Sequence, residues 1–203
     1  MDLMAVRRGL MMRKRSLLPQ AYQQVEWVKG NNCLIDTGYV VTVNPIVVAK
    51  IAINASGDKD ILGFENNTAP SFIVDVYYSD PPHITSWYNR YGPTTSYSFG
   101  FQPQKDVAYV YEFGPIVKID GVVNKTPGEY NFSSNEQTMR LFGARTSHAG
   151  VTFYDFMLYD NSALVRNLVP CYRKSDSVIG MYDMITQTFL TSSTGIFTKG
   201  PDV

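Results

Sequence analysis

The stretch with the most chemical character runs His83-Ile-Thr-Ser-Trp87-Tyr88-Asn89-Arg90-Tyr91-Gly92-Pro93. Aromatic rings stack on the C–H faces of sugars, Asn and Arg bond to hydroxyl groups, and exposed Trp and Tyr also anchor protein partners. Trp87, Tyr88, Asn89, Arg90 and Tyr91 are therefore the candidate contact residues. A plainer reading stands beside this one. Side chains alternate along a strand, so Trp87 and one Tyr would fill a core while Tyr88 or Tyr91 caps its edge.

Other reactive groups are sparse. Asp58 and Asp60 are two apart but flank a turn-like stretch beside Gly57, with no third acid. The two histidines, His83 and His148, fall in predicted loops, and no G-x-S-x-G elbow supports a nucleophilic triad. Calcium is the one cofactor to consider, because acidic loops offer it oxygen ligands. Asp58 and Asp60 with Glu65, Asn66 and Asn67 form the best cluster, and Asp80 is another candidate, yet no loop has the ligand density of a dedicated site. No cofactor is expected. Two cysteines, Cys33 and Cys171, are too few for a disulfide scaffold or a zinc site. Two separate buried thiols are expected, and pairing would need their Cα atoms within about 7 Å.

Positioning these residues falls to strands. Of 203 residues, 44% are hydrophobic and 13% aromatic, led by 14 Tyr and 11 Phe, which suit pleated and half-buried surfaces. Short apolar runs between turn residues predict strands at Tyr22–Val28, Cys33–Asp36, Ile46–Ile53, Asp60–Phe64, Phe72–Tyr78, Ile84–Tyr88 and Ser96–Phe99. Further strands are predicted at Val107–Phe113, Ile116–Ile119, Thr138–Phe142, Val151–Tyr159, Ala163–Pro170, Val178–Asp183 and Thr188–Leu190. In Val151–Tyr159, strict alternation sets Val151, Phe153, Asp155, Met157 and Tyr159 against Thr152, Tyr154, Phe156 and Leu158. Both sets are partly apolar, so both faces should be covered. Asp120-Gly121 is a strong hairpin signal, and Asp160-Asn161 and Gly114-Pro115 mark other turns. No internal repeat or helical pattern interrupts the series.

Charge divides the chain at residue 20. Formal net charge is zero over 18 basic and 18 acidic residues. Residues 1–20 hold five basic groups (Arg7, Arg8, Arg13, Lys14, Arg15) against Asp2, which leaves 13 basic and 17 acidic residues beyond, a net of −4. A mildly acidic body is a poor surface for nucleic acid. The basic segment reads as a frayed tail, or as a helix or arm docking on a neighbouring subunit, in which Leu3, Val6, Leu10, Leu17 and Leu18 share part of a face that Pro19 ends. Its charges break every apolar run short of a secretion signal core, and nothing approaches the ~18 apolar residues of a membrane span. The expected organisation is an arm over residues 1–20 and one β-sandwich over 21–203.

Several segments carry a resemblance. Tyr22-Gln-Gln-Val-Glu-Trp27 followed by Ile35-Asp36-Thr37-Gly38 resembles the opening of laminin-G-like, concanavalin A-like domains of bacteriophages and gut bacteria. Leu141-Phe142-Gly143, Phe156-Met-Leu-Tyr-Asp160-Asn161, Leu164-Val-Arg166-Asn-Leu-Val-Pro170-Cys171, Gly180-Met-Tyr-Asp183 and Gly195-Ile-Phe-Thr-Lys-Gly-Pro201 resemble its closing strands. The match spans residues 22–201 in order, although 54–135 match only as a strand pattern. It implies an all-β, two-sheet antiparallel jelly roll with one concave sheet that often carries the ligand. Physically, Asp36-Thr37-Gly38 reads as a turn, Pro170 as the close of a strand at the sheet edge, and Arg166 as a partner for Asp155, Asp160 or Asp183. Glucanases of related fold place paired carboxylates along one strand, and no Glu-x-Asp-x-Glu occurs here. The functional expectation is a non-catalytic module on a phage virion, in tail or capsid decoration. It would recognise host cell-surface carbohydrate and touch other virion proteins, its arm anchoring it and trimers plausible. The alternative is a purely structural virion protein; a glucanase-like hydrolase ranks last. Such a protein is made in the host cytoplasm without a signal peptide and has no membrane partner.

Overall fold

A computed structural model describes residues 18–42, 44–54, 59–65, 71–77, 83–88, 95–98, 101–126, 137–144 and 150–203, with backbone alone for 76–77, 83–88 and 95–98. Its strands are β1 (Tyr22–Gln24), β2 (Val28–Gly30), β3 (Ile35–Val40), β4 (Ile46–Ile53), β5 (Lys59–Phe64), β6 (Phe72–Tyr77), β7 (His83–Tyr88) and β8 (Thr95–Ser98). They continue as β9 (Ala108–Phe113), β10 (Val117–Ile119), β11 (Val122–Lys125), β12 (Thr138–Leu141), β13 (Val151–Asp160), β14 (Ala163–Arg173), β15 (Ile179–Asp183), β16 (Thr188–Leu190) and β17 (Thr198–Lys199).

Among the described residues all regular structure is antiparallel strand, in two sheets. The larger follows the order β11-β10-β9-β4-β13-β14-β15-β16, with β1, β2 and β17 attached beside it; the smaller is β3-β12-β5-β6-β7-β8. The chain leaves β4 for the smaller sheet, returns to pair β9 with β4, then crosses again through β12 before β13 takes β4's other edge. These crossovers put two apolar faces against each other. Val47, Ala49, Ile51, Tyr111, Phe113, Phe153, Phe156, Leu158, Leu168 and Met181 of one sheet meet Ile35, Leu62, Phe64, Phe72, Val74, Met139 and Leu141 of the other. Each such aliphatic or Phe side chain, fully withdrawn from water, contributes about 1.5–3 kcal/mol.

Four sequence expectations need correction. Strict alternation fails in β13, because the register with β4 passes from Phe153↔Ile51 to Asp155↔Lys50 and leaves Tyr154 as an extra residue. A one-residue bulge inverts the pleat. Val151 and Phe153 before it, and Phe156 and Leu158 after it, therefore all enter the core, while Tyr154, Asp155, Met157 and Tyr159 are only partly buried. Asp155 fills the bulge by accepting the Lys50 amide at 2.7 Å. Pro170 does not close a strand at an edge: β14 runs through it to Arg173, paired with β15 at Met181. The Pro170 carbonyl accepts the Val25 amide (3.0 Å), and along a strand the N–H and C=O of one residue point to one side. Its missing donor thus falls where the chain bends between β1 and β2. That bend splits the predicted Tyr22–Val28 strand in two. Finally, Asp36-Thr37-Gly38 has the expected turn chemistry, with Gly38 at positive φ and Asp36 and Thr37 accepting backbone amides, but it forms a bulge within β3 rather than a reversal, three residues of β12 facing five of β3 (Thr138↔Val40, Arg140↔Asp36).

The hairpin signals hold. Asp120 (φ 50°) and Gly121 (φ 84°) join Ile119 to Val122, and Asn161 (φ 48°) and Ser162 (φ 67°) join Asp160 to Ala163. Two successive positive φ values make the turn whose twist matches the strands it connects.

Candidate functional site

Trp87 and Tyr88 are the last two residues of β7, and residues 89–94 connect β7 to β8, the outermost strand of the smaller sheet. His83, expected in a loop, begins β7. Asn89, Arg90 and Tyr91 lie outside the described residues, as do Arg7, Arg8, Arg13, Lys14 and Arg15, and also His148, Asp58, Asn66, Asn67 and Asp80.

Register assigns Trp87 its neighbours. The Cα partners run Asp36, Arg140, Gly63, Ile73, Trp87, Ser96 across all six strands, and the row two residues away runs Asp60, Asp75, Thr85, Ser98. The bulge between Asp60 and Leu62 sets Asp60 opposite Asp75. Phe72 and Val74 enter the core, yet Ile73 and Asp75 on the opposite pleat are also buried, as is Asp60. Asp60, Ile73 and Asp75 in the middle of this sheet are thus withdrawn from water, while at β3 and β12 polar side chains are exposed. There Asp36 accepts the Thr138 hydroxyl (2.7 Å) and lies 3.8 Å from Arg140. Of the acids considered for calcium, Asp60 and Glu65 are described. Among the described residues, no group of three His, Cys, Asp or Glu is placed to hold a metal ion.

The motif residues of the closing strands form a polar clamp between the sheets. Arg166 of β14 donates through Nε to the Thr37 carbonyl of β3 at 3.0 Å, and its Nε stands 3.4 Å from Asp183 of β15. Its guanidinium covers the Tyr39 ring at 5.0 Å. The Tyr39 hydroxyl donates to Asp160 Oδ2 (3.1 Å), which also accepts the Thr42 amide (2.7 Å) and hydroxyl (2.8 Å). Burial and the neighbouring carboxylate together raise the Tyr39 pKa. Thr37 donates to the Met139 carbonyl (2.7 Å), and Gly38, at φ +65°, lets its amide turn back to Asp36 Oδ1 (2.8 Å). Asp183, fully buried, accepts the Asn167 and Ile185 amides (3.1 and 3.0 Å) and the Thr186 hydroxyl (2.8 Å). Of the three acids proposed for Arg166, Asp183 is the partner. These groups bond one another and the backbone, and so tie β3 to β14 and β15.

Cys33 and Cys171 are separate, buried free thiols. Burial raises the pKa of both, that of Cys171 to about 12.

A second aromatic group escaped the sequence reading. On the outward face of the larger sheet Tyr22 lies 4.8 Å from Tyr182 and 5.3 Å from Phe189, nearly parallel to the latter at 27°. Arg173 lies over Phe189 at 5.3 Å and grips Asp176 through Nε and Nη2. The rings come from β1, β15 and β16, 167 positions apart at the extremes, so no local spacing signals them; the strand pairings Tyr22↔Arg173 and Tyr182↔Phe189 do.

No protein-family model matches the chain, and no curated protein matches it. Among solved structures it is similar to a native heptameric SAP-like pentraxin from Limulus polyphemus, at 11% identity and TM-score 0.51, over 70% of this chain and 78% of that one. It is also similar to domains LG4-5 of the mouse laminin alpha1 chain, at 9% identity and TM-score 0.46, over 86% of this chain and 52% of that one. At such identity the pentraxin likeness speaks for the fold alone. The chain is an all-β, concanavalin A-like jelly roll, as its opening and closing motifs imply.

Proposed function

We propose that this jelly roll is a non-catalytic module that recognises carbohydrate on a host cell surface as part of a bacteriophage virion, in its tail or capsid decoration. The observation that carries the reading is the position of Trp87 and Tyr88. They end an inner strand at the connection to the sheet's last strand, and Trp87 stands in the row whose far end holds Arg140 and Asp36. Trp87, Tyr88, Asn89, Arg90 and Tyr91 are the contact segment. Aromatic residues beside donors and acceptors suit sugars, with C–H faces to cover and hydroxyls to bond. Arg7, Arg8, Arg13, Lys14 and Arg15 form an anchor to other virion proteins. Removing residues 1–18 leaves a folded sandwich that no longer enters larger assemblies; normal assembly by the truncated chain would refute the anchor.

A glycan array probed with the purified chain tests the reading. Binding is expected, and Trp87→Ala and Tyr91→Ala abolish it. An array on which the wild-type chain finds no glycan overturns the carbohydrate reading.

One observation favours a purely structural role in assembly. The edge strand β11 is exposed throughout, with Val122 at 70% and Val123 at 58%, and a bare apolar edge invites pairing with another chain. On that reading Val122→Lys with Val123→Lys disperses oligomers in sedimentation while the array stays blank.

A further inference from the structure

Among the described residues no strand lies beyond β11, which forms one edge of the larger sheet. The cross-strand row Ala49, Tyr111, Ile119, Val122 starts in the core with three buried members and runs out at Val122, which is 70% exposed. Val123, on the opposite pleat, is 58% exposed. Neither face of β11 is covered, so the hairpin presents a bare valine on each side.

The hairpin is nevertheless fixed. Asp120 donates its amide to the Val110 carbonyl and accepts the Val110 amide on Oδ1, both at 2.8 Å, which pins the turn to β9. The same bonds decide which backbone groups are free. Successive residues of a strand turn their N–H and C=O to opposite sides. Asp120 faces β9, so Ile119 faces β11 and its partner Val122; the N–H and C=O of Val123 therefore point away from β10.

Such an edge suits one partner, its own copy. Two antiparallel β11 strands centred on Val123 exchange both N–H···O bonds there and set Val123 against Val123 and Val122 against Asn124. They also bring each Lys125 opposite Gly121, beside the Asp120 of the other chain. Asp120 and Lys125 are both exposed. A Lys on an edge strand discourages pairing. Here a carboxylate meets it when the incoming strand carries an acid three residues before its centre, as β11 itself does. At Asn124 the register slips, Lys118 pairing with Val123 but Val117 with Lys125, and this bulge bends the strand and ends the contact. A contact centred on a two-fold axis is closed and gives a dimer, not a filament.

We propose that β11 pairs with β11 of a second copy, antiparallel about Val123, joining the larger sheets of two molecules. The pairing rests on the assembly reading, whose partner it names, and not on the carbohydrate reading. The contact is small beside the ~800 Å² per partner of a standard interface, so the dimer is weak and reversible.

Val123→Pro removes the outward N–H without touching the ladder to β10, a position where an edge strand tolerates Pro. Sedimentation of the full chain is expected to show dimer growing with concentration, and Val123→Pro to weaken it at least about tenfold with thermal melting little changed. Hydrogen-bonded partners stand about 5.5 Å apart at Cα, within disulfide reach. Val123→Cys is therefore expected to yield a disulfide-linked dimer under mild oxidation, and Val122→Cys is not. Cys33 and Cys171 are buried and do not compete. A chain that stays monomeric at about 1 mM and does not cross-link through Val123→Cys overturns the proposal. Equal cross-linking of Val122→Cys also overturns it. Oligomers dispersed by Val122→Lys with Val123→Lys but untouched by Val123→Pro leave the assembly reading standing and remove the self-pairing.

Discussion

At the scale of single residues, the polar side chains that mark the motifs hold the sheets together. Asp160 Oδ2 takes three hydrogen bonds and Arg166 spans β14, β3 and β15. A buried carboxylate so satisfied is costly to disturb, since removing it strands donors away from water at about 1–3 kcal/mol each. The thiols offer a cleaner test. A buried thiolate is disfavoured, which is why the Cys171 pKa rises to about 12. In the unfolded chain a thiol ionises near pH ~8.5, so between there and about pH 12 the folded state binds the extra proton. Its contribution to stability is complete below that window and is lost as pH rises through it. Iodoacetamide at pH 8 is expected to leave both cysteines of the native chain unmodified and to label both in urea. Rapid labelling of native Cys171 would show that the outward rings do not cover it.

Strands and turns were legible where local chemistry alone decides them. Asp120-Gly121 and Asp160-Asn161 form the expected tight turns, and Ile46–Ile53 and Thr188–Leu190 have the expected bounds. Features that depend on a partner strand were not. Tyr154 and Phe156 are both acceptable on either face, so nothing local betrays that the pleat inverts between them; only the pairing with β4 does. Pro170 reads as a terminator because its tolerated place, beside a bend in β1 and β2 some 145 residues earlier, cannot be seen from its neighbours. The tie of the last residues to the bend was likewise hidden: Glu26 bonds Pro201, Gly200 bonds Trp27 and Val203 bonds Gln24. The bulge is open to a direct trial. Deleting Tyr154 removes the inversion and turns either Val151 and Phe153 or Phe156 and Leu158 outward, each a pair of fully buried side chains. At about 1.5–3 kcal/mol per residue, the loss is a large share of the roughly 5–15 kcal/mol that holds a domain folded. The variant is expected to be insoluble or molten, judged by near-ultraviolet circular dichroism. A native-like spectrum would contradict the register.

For the whole molecule, the order of the motifs disclosed the architecture, because motifs spread from Tyr22 to Pro201 constrain a two-sheet topology even where the middle matches only as a strand pattern. The sites were less legible. Side chains that share a sheet face are gathered across strands, as the row from Asp36 to Ser96 and the stacked Tyr22 and Phe189 both illustrate, and sequence proximity captures only the segment around Trp87. The central functional claim is that the sandwich holds a glycan without cutting it. Its most direct test is to incubate the purified chain for a day with the glycan that the array selects, then size the sugar by chromatography. The account predicts that the glycan is retained by the protein and elutes at its starting length once released by denaturation. Shorter products, lost when Asp60 or Asp75 is replaced by Asn, would contradict it.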